Sequence, residues 1–345
     1  MQHGQEKATL KDVADAVGVH ASTVSRALSP EKRNLVNPET REEIERVAAE
    51  LDYRPDRVAR SLRRGRTNVI GVVVADLSNP FIGPVLRGIE NALAGRGGMP
   101  MMVESRDSSD RLTRVCEALV DHRVDAILTT AGRTGDLSTL RKVAARVPLV
   151  LAVRALPRLN VPTLAHDDVL GGRLAANHLI GLGHERLAEL VGPDDISSFR
   201  ERGRGFRQAA DEAGLSVLEI ADEIVLPTVD EGRRLMELLL RDHGDDLPTG
   251  VFVHNDTMAV GALDAAREAG LVCPDDISIV GYNNNPLTAY LAPPLTTIHL
   301  PGYELGRMAA DTVIAMLDEP EVTPHTVSLP PRLIERGSTA PPPSP

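Results

Sequence analysis

From Val69 onward, short apolar runs alternate with amphipathic stretches of helical period. The runs are Val69–Ala75, Met101–Glu104, Asp125–Thr129 and Leu149–Val153, then Leu187–Gly192, Gly250–His254 and Ile277–Gly281. Runs this short, each separated by enough chain for a helix, predict an α/β architecture of parallel strands in sheets covered on both faces. Two such sets predict two lobes, with any small ligand in the crevice where strand carboxyl ends meet. At 345 residues the chain has room for two or three domains and a sizeable core. No apolar run approaches the ~18 residues a membrane span needs, so a membrane is not an expected partner.

The net charge of -11, with only four Phe, four Tyr and no Trp, argues against nucleic acid when taken over the whole chain. Phosphates need a positive surface, and single strands need rings on which to stack. The charge is unevenly spread, however. Residues 1–66 hold 13 of the 38 Lys/Arg and 11 of the 49 Asp/Glu, a net of +2, which leaves -13 for the remainder. Between Arg54 and Arg66 six arginines face one aspartate, Asp56. That stripe suits either a phosphate backbone or a solvated linker.

Thr9-Leu-Lys-Asp12 fits a helix start in which the Thr hydroxyl caps the first turn and the acid reaches back. Leu10, Val13, Ala14 and Val17 then share one face, and Gly18 ends the helix. A second short helix, Ala21 to Leu28, turns Val24, Ala27 and Leu28 inward and Ala21, Ser22, Ser25 and Arg26 outward. Two short helices around a Gly-containing turn have helix-turn-helix geometry. Asn37-Pro38-Glu39 announces a third helix with Ile44, Val47, Ala48 and Leu51 on one face, ending before Arg54-Pro55. Pattern alone leaves such a bundle open between DNA binding and protein binding.

The run from Thr9 to Leu28, then Val36-Asn-Pro-Glu-Thr-Arg41, Leu51-Asp-Tyr-Arg-Pro-Asp56 and Ala59-Arg-Ser-Leu62, resembles the headpiece and hinge of the lactose/galactose repressor (LacI/GalR-type) family of bacterial transcriptional regulators. The likeness continues through Ser78-Asn-Pro-Phe81, Leu182-Gly-His184, Asn255-Asp256, Val280-Gly-Tyr282 and Pro293-Pro-Leu-Thr-Thr297. It implies an all-α helix-turn-helix headpiece over 1–55, a hinge helix and linker over 56–66, and a two-lobed periplasmic-binding-protein-like core over 67–337. Lobe one would take about 67–165 and 298–325, lobe two about 166–297 and 326–337, and the Pro-rich 338–345 would be a disordered tail. The implied activity is repression of transcription. A homodimer binds a pseudo-palindromic double-stranded operator, and a small-molecule effector in the core, acting as inducer or corepressor, shifts the hinges.

By the same resemblance Ala21, Ser22 and Arg26 face base edges in the major groove. The fork of Arg26 suits guanine O6 and N7, and Ala21 offers only a methyl. Thr9, Thr23 and Ser25 are candidates for phosphate contacts, which set register without reading sequence. His20 stands where the family usually has Ser or Thr, and is expected to cap the recognition helix less well or to touch a phosphate. The segment Asp56 to Arg64, too short to be stable alone, folds on DNA with its partner copy. There Leu62 wedges into the minor groove, flanked by Arg57, Arg60 and Arg63.

The effector crevice, matched residue by residue, is lined by Asn79, Phe81, Arg202, Asn255, Asp256 and Asn283. Phe81 supplies an apolar face, Arg202 a bidentate cation and Asn255 both donor and acceptor. Asn79 and Asp256 are equally well placed to cap helices. Sugar-binding members generally have Asp where this chain has Asn283, and commonly another where it has Val153. The resemblance implies a sugar or sugar derivative as effector, and Arg202 without those charges would also suit an anionic one.

No cofactor, metal or enzyme activity is expected. Gly203-Arg-Gly205 lacks the third glycine of a dinucleotide loop, and the ten histidines show no ligand spacing. Cys116 and Cys273 are too few for a disulfide framework and read as small apolar groups. The first residues lack the basic start and apolar stretch of a signal peptide, so a cytoplasmic location is expected. The alternative, a solute-binding protein of the transport type, would need such a peptide and no helix-turn-helix.

Overall fold

A computed structural model describes residues 8–29, 32–53, 66–222, 226–319 and 323–343. The chain divides into two compact units, Met1–Thr67 and Asn68–Pro345.

The first unit contains α1 (Leu10–Val17), α2 (Ala21–Ala27) and α3 (Pro38–Glu50). Thr9 closes a full capping box with Asp12 at the start of α1, and Gly18 ends it at φ 74°, where glycine carries no steric penalty. Asn37 caps α3 by accepting the Glu39 amide at 2.9 Å. Val13, Val24 and Ile44, one from each helix, are wholly buried against one another, with Ala14, Ala27, Val47 and Ala48 around them. His20 stands at the head of α2 as its cap. Its Nδ1 accepts the Ser22 amide at 3.2 Å and lies 2.8 Å from the Ser22 hydroxyl.

In the second unit the first sheet is built from β1 (Val69–Val74), β2 (Met99–Glu104), β3 (Ala126–Thr129), β4 (Leu149–Val153) and β5 (Thr163–His166). The helices α4 (Ile82–Ala94), α5 (Ser109–Asp121) and α6 (Leu137–Ala144) connect them. The chain then passes through α7 (Asp168–Gly181) into β6 (Leu187–Leu190), α8 (Ser197–Glu212), β7 (Val217–Ile220), α9 (Val229–His243), β8 (Gly250–Val253), α10 (Asp256–Glu268), β9 (Ser278–Asn283) and β10 (Thr296–His299). It returns to the first lobe through α11 (Gly302–Asp318) and β11 (Thr326–Leu329), then crosses again to β12 (Arg332–Ile334). The sheet orders are β11-β5-β4-β3-β1-β2 and β12-β10-β9-β8-β6-β7. Every pairing is parallel except that of β12 with β10.

Two boundaries differ from expectation. The third crossover lies after 329, not near 325, because Thr326–Leu329 pairs in parallel with Thr163–His166 and extends the first sheet. Pro330 and Pro331 follow, and having no N–H they cannot prolong that ladder. The tail is not disordered over 338–340. Ser338 is wholly buried, its hydroxyl accepting the Thr296 amide at 2.8 Å and donating to the Ile279 carbonyl at 2.6 Å. The Ala340 amide donates to Ser278. These bonds outweigh the proline content on which disorder was expected.

One close approach positions the site described next. A Cβ on Gly172 of α7 would overlap the Arg202 carbonyl, and one on Gly205 of α8 would overlap the Val169 carbonyl. Reciprocal glycines therefore let α7 and α8 touch backbone to backbone, which brings Asp168 and Arg202 together. Among the described residues no helix is long and apolar enough to cross a membrane.

Candidate functional site

The carboxyl ends of the strands in the second unit surround a cleft, open at its mouth. The first lobe contributes Asp76 and Asn79 after β1, Phe81, Asp107 after β2, Thr130 after β3, and Val153 and Arg154 at the end of β4. The second contributes Ser198, Phe199 and Arg202 from α8, Asn255 after β8 and Asn283 at the end of β9.

Of the six expected effector residues, five line this cleft and Asp256 does not. Asp256 is 1% exposed, and its carboxylate accepts the Thr297 hydroxyl and the Asn285 amide. It is a buried tie between α10, the end of β9 and β10. Its neighbour Asn255 faces the cleft and also caps α10, accepting the Thr257 amide at 2.6 Å. The Asn79 Oδ1 accepts the Phe81 amide at 3.1 Å, which leaves the NH2 end of that side chain for a ligand.

Arg202 is 5% exposed and already committed. Its Nε donates to Asp168 at 3.0 Å and its Nη1 to the His254 carbonyl at 2.7 Å. The guanidinium lies 4.6 Å from the Phe199 ring centre and 4.0 Å from that of Tyr282. Tyr282 donates its hydroxyl to the same Asp168 oxygen at 2.9 Å. Burial raises the Asp168 carboxyl above its usual range, against the pull of Arg202 and Tyr282.

Arg154 is likewise paired, donating through both terminal nitrogens to Asp107. The premise behind an anionic ligand, an uncompensated Arg202, is therefore corrected: each cleft arginine carries its own carboxylate. Asn283, at φ 108°, keeps a buried Oδ1 that has no hydrogen-bond partner among the described residues. A buried acceptor in that condition calls for a donor.

The aromatic walls are fixed from behind. Phe81 meets the His166 ring edge-on at 5.7 Å, and burial lowers the His166 pKa to about 3, so that ring is neutral. Phe199 stacks near His254, whose Nδ1 accepts the Gly192 amide at 3.3 Å. Its Nε2 therefore carries the proton and donates it to the buried Glu189 at 2.9 Å.

In the first unit, Ser22 and Arg26 are exposed on α2, while Thr23 and Ser25 are half-buried beside them. Ala21 packs against the small core, which limits its methyl as a base contact. Thr9 is exposed and caps α1, its hydroxyl donating to Asp12 at 2.8 Å. Arg57, Arg60, Leu62 and Arg63 lie outside the described residues.

Sequence reasoning missed Asp107, Arg154 and Phe199. Two signals were available: Arg154 directly follows the expected strand Leu149–Val153, and Phe199 stands three residues before Arg202 on the same helical face.

Residues 9–56 match the profile described as bacterial regulatory proteins, lacI family, and residues 176–339 match that of the periplasmic binding protein-like domain. The ribose operon repressor of Escherichia coli (strain K12) is 36% identical over 338 residues, covering 96% of this chain and 99% of the relative. The crystal structure of the lac repressor dimer bound to operator and the anti-inducer ONPF superposes with a TM-score of 0.85 at 27% identity, over 97% of this chain and all of that one. The transcriptional regulator CelR–cellobiose complex superposes with a TM-score of 0.72 at 30% identity, over 96% and 99%.

Proposed function

This chain belongs to the lacI family of bacterial regulatory proteins, and from that premise we propose that it represses transcription as a homodimer whose operator affinity is set by a neutral polyhydroxyl effector, a sugar, in the cleft. It is a DNA-binding regulator and not an enzyme, as is the repressor with which it aligns end to end. The helix-turn-helix unit sets aside the transport-type reading.

The observation that carries the effector class is the buried, unsatisfied Asn283 Oδ1 in a cleft whose arginines are already neutralised. A sugar hydroxyl donates to that oxygen, Phe81 and Phe199 take the apolar faces of the ring, and Asp107 and Arg154 offer a paired acceptor and donor. A phosphate or carboxylate would have to share a guanidinium with the carboxylate it already holds. The relatives' names agree: one is a ribose operon repressor, and another is in complex with cellobiose.

On the DNA side, Arg26 and Ser22 read base edges and Thr23 and Ser25 fix register on phosphates. Leu62, with Arg57, Arg60 and Arg63, opens the minor groove at the operator centre. Edge strand β2 leaves Met99 and Met102 each 49% exposed, which favours cover by a second copy.

Selection of bound duplexes from a random library tests the first half, and two half-sites in inverted repeat are expected. Thermal shift against neutral pentoses, hexoses and disaccharides, with sugar acids and sugar phosphates alongside, tests the second. Stabilisation by the charged compounds alone would reject the neutral reading.

A further inference from the structure

Besides the cleft, the second unit holds a set of polar contacts that bridge its lobes. Arg133, after β3, donates Nη1 to both carboxylate oxygens of Asp195, at 2.7 and 2.9 Å. Asp195 lies in the loop between β6 and α8, in the other lobe. The Thr134 amide and hydroxyl both reach the Asp195 carbonyl, at 2.9 and 3.0 Å. Arg200 donates to the Thr134 hydroxyl at 3.2 Å, and the Ala155 amide donates to the Ser197 hydroxyl at 3.1 Å.

Arg133 also approaches Asp107, with Nε 3.9 Å from Oδ1. Asp107 is the carboxylate that holds Arg154 in the cleft wall. One buried acid thus stands between an arginine facing the ligand and an arginine gripping the opposite lobe.

We propose that Arg133 and Asp195 form a latch that holds the two lobes together, and that Asp107 ties this latch to the wall of the cleft. The last link rests on the cleft being the effector site, whereas the latch itself does not. The latch meets part of the cost of closure before any ligand arrives, so losing it weakens effector binding by the factor through which the closed population falls.

Two amides report the latch directly, because the N–H groups of Thr134 and Ala155 both donate across the lobe boundary. Hydrogen exchange is therefore followed on the full chain without operator or effector. In Arg133→Gln and in Asp195→Asn, peptides containing Thr134 and Ala155 are expected to exchange about two- to fivefold faster, the range for a pair that is partly exposed. Peptides from β1 and β6 are expected to be unchanged.

Asp107→Asn should speed the Thr134 peptide in the same direction by a smaller factor. Unchanged exchange in the single variants would overturn the latch, and so would an increase shared with β1 and β6. An Asp107→Asn protein that exchanges like the parent would sever the link to the cleft. Since no ligand or DNA is present, failure here leaves the function proposed above standing, and failure of that reading leaves the latch standing.

Discussion

The Asp256 carboxylate accepts the Thr297 hydroxyl at 2.6 Å through one oxygen and the Asn285 amide at 2.6 Å through the other. A single buried acid therefore joins α10 to β10, the strand by which the chain leaves the second lobe. Burial pushes this carboxyl up to about 7, against the hydrogen bonds that favour its charged form. Because the folded value lies above the unfolded one, the unfolded chain gives up its proton first as pH rises. The stability held by the protonated acid is complete below about pH 4 and is lost as pH climbs toward 7, at no more than about 1.4 kcal/mol per unit. Asp256→Asn should flatten that decline. Urea midpoints of both proteins at four pH values between 4 and 7 check it, and parallel curves would show that this acid does not titrate in the window.

Val153 occupies φ 71°, a left-handed conformation unusual for a β-branched residue. The strain is about 1–2 kcal/mol, sited in the cleft wall next to Arg154. Asn tolerates this backbone, at the expense of a half-buried apolar contact with the main core. Val153→Asn is expected to stabilise the protein by about 0.5 kcal/mol or more, a rise of about 1–3 °C in Tm. A lower Tm would mean that the apolar contact outweighs the strain.

Arg202 and Asp168 are buried together, so truncating the arginine leaves an acid without its cation. Arg202→Met should cost about 3–5 kcal/mol in the absence of any ligand. Arg202→Met combined with Asp168→Leu should cost less than the single change, because no lone charge is left behind. Chemical denaturation of the three proteins decides this. A single variant as stable as the parent would return Arg202 to the role of a freely available ligand cation.

What the sequence made legible was local. Thr9, Gly18 and Asn37 announce their helix ends because capping uses atoms two to four residues apart. The central strands announce themselves because burial on both faces makes them continuously apolar. Thr326–Leu329 does not, since an edge strand half open to solvent alternates polar with apolar, and its partner lies over 150 residues earlier. The site shows the same limit. Family likeness located Arg202 but not Asp168, which lies 34 positions earlier. Asn255 and Asp256 are adjacent, yet only backbone direction at the head of α10 decides which faces the cleft and which is buried.

Arg26 carries the most specific DNA prediction. It is exposed on α2, so Arg26→Ala should leave the melting of the helical unit unchanged. If its fork pairs with guanine, selected operator duplexes lose about 1–3 kcal/mol per half-site, or roughly 5- to 150-fold in affinity for each of the two copies. Duplexes of unrelated sequence lose little. Fluorescence anisotropy on both duplexes at one fixed salt concentration measures the two losses together, which matters because phosphate contacts are themselves salt-dependent. Equal losses on the two duplexes would assign Arg26 to the phosphate backbone and pass base reading to Ser22 and the hinge. The deciding quantity is the ratio of the two affinities, since a phosphate contact and a base contact can weaken operator binding by the same amount.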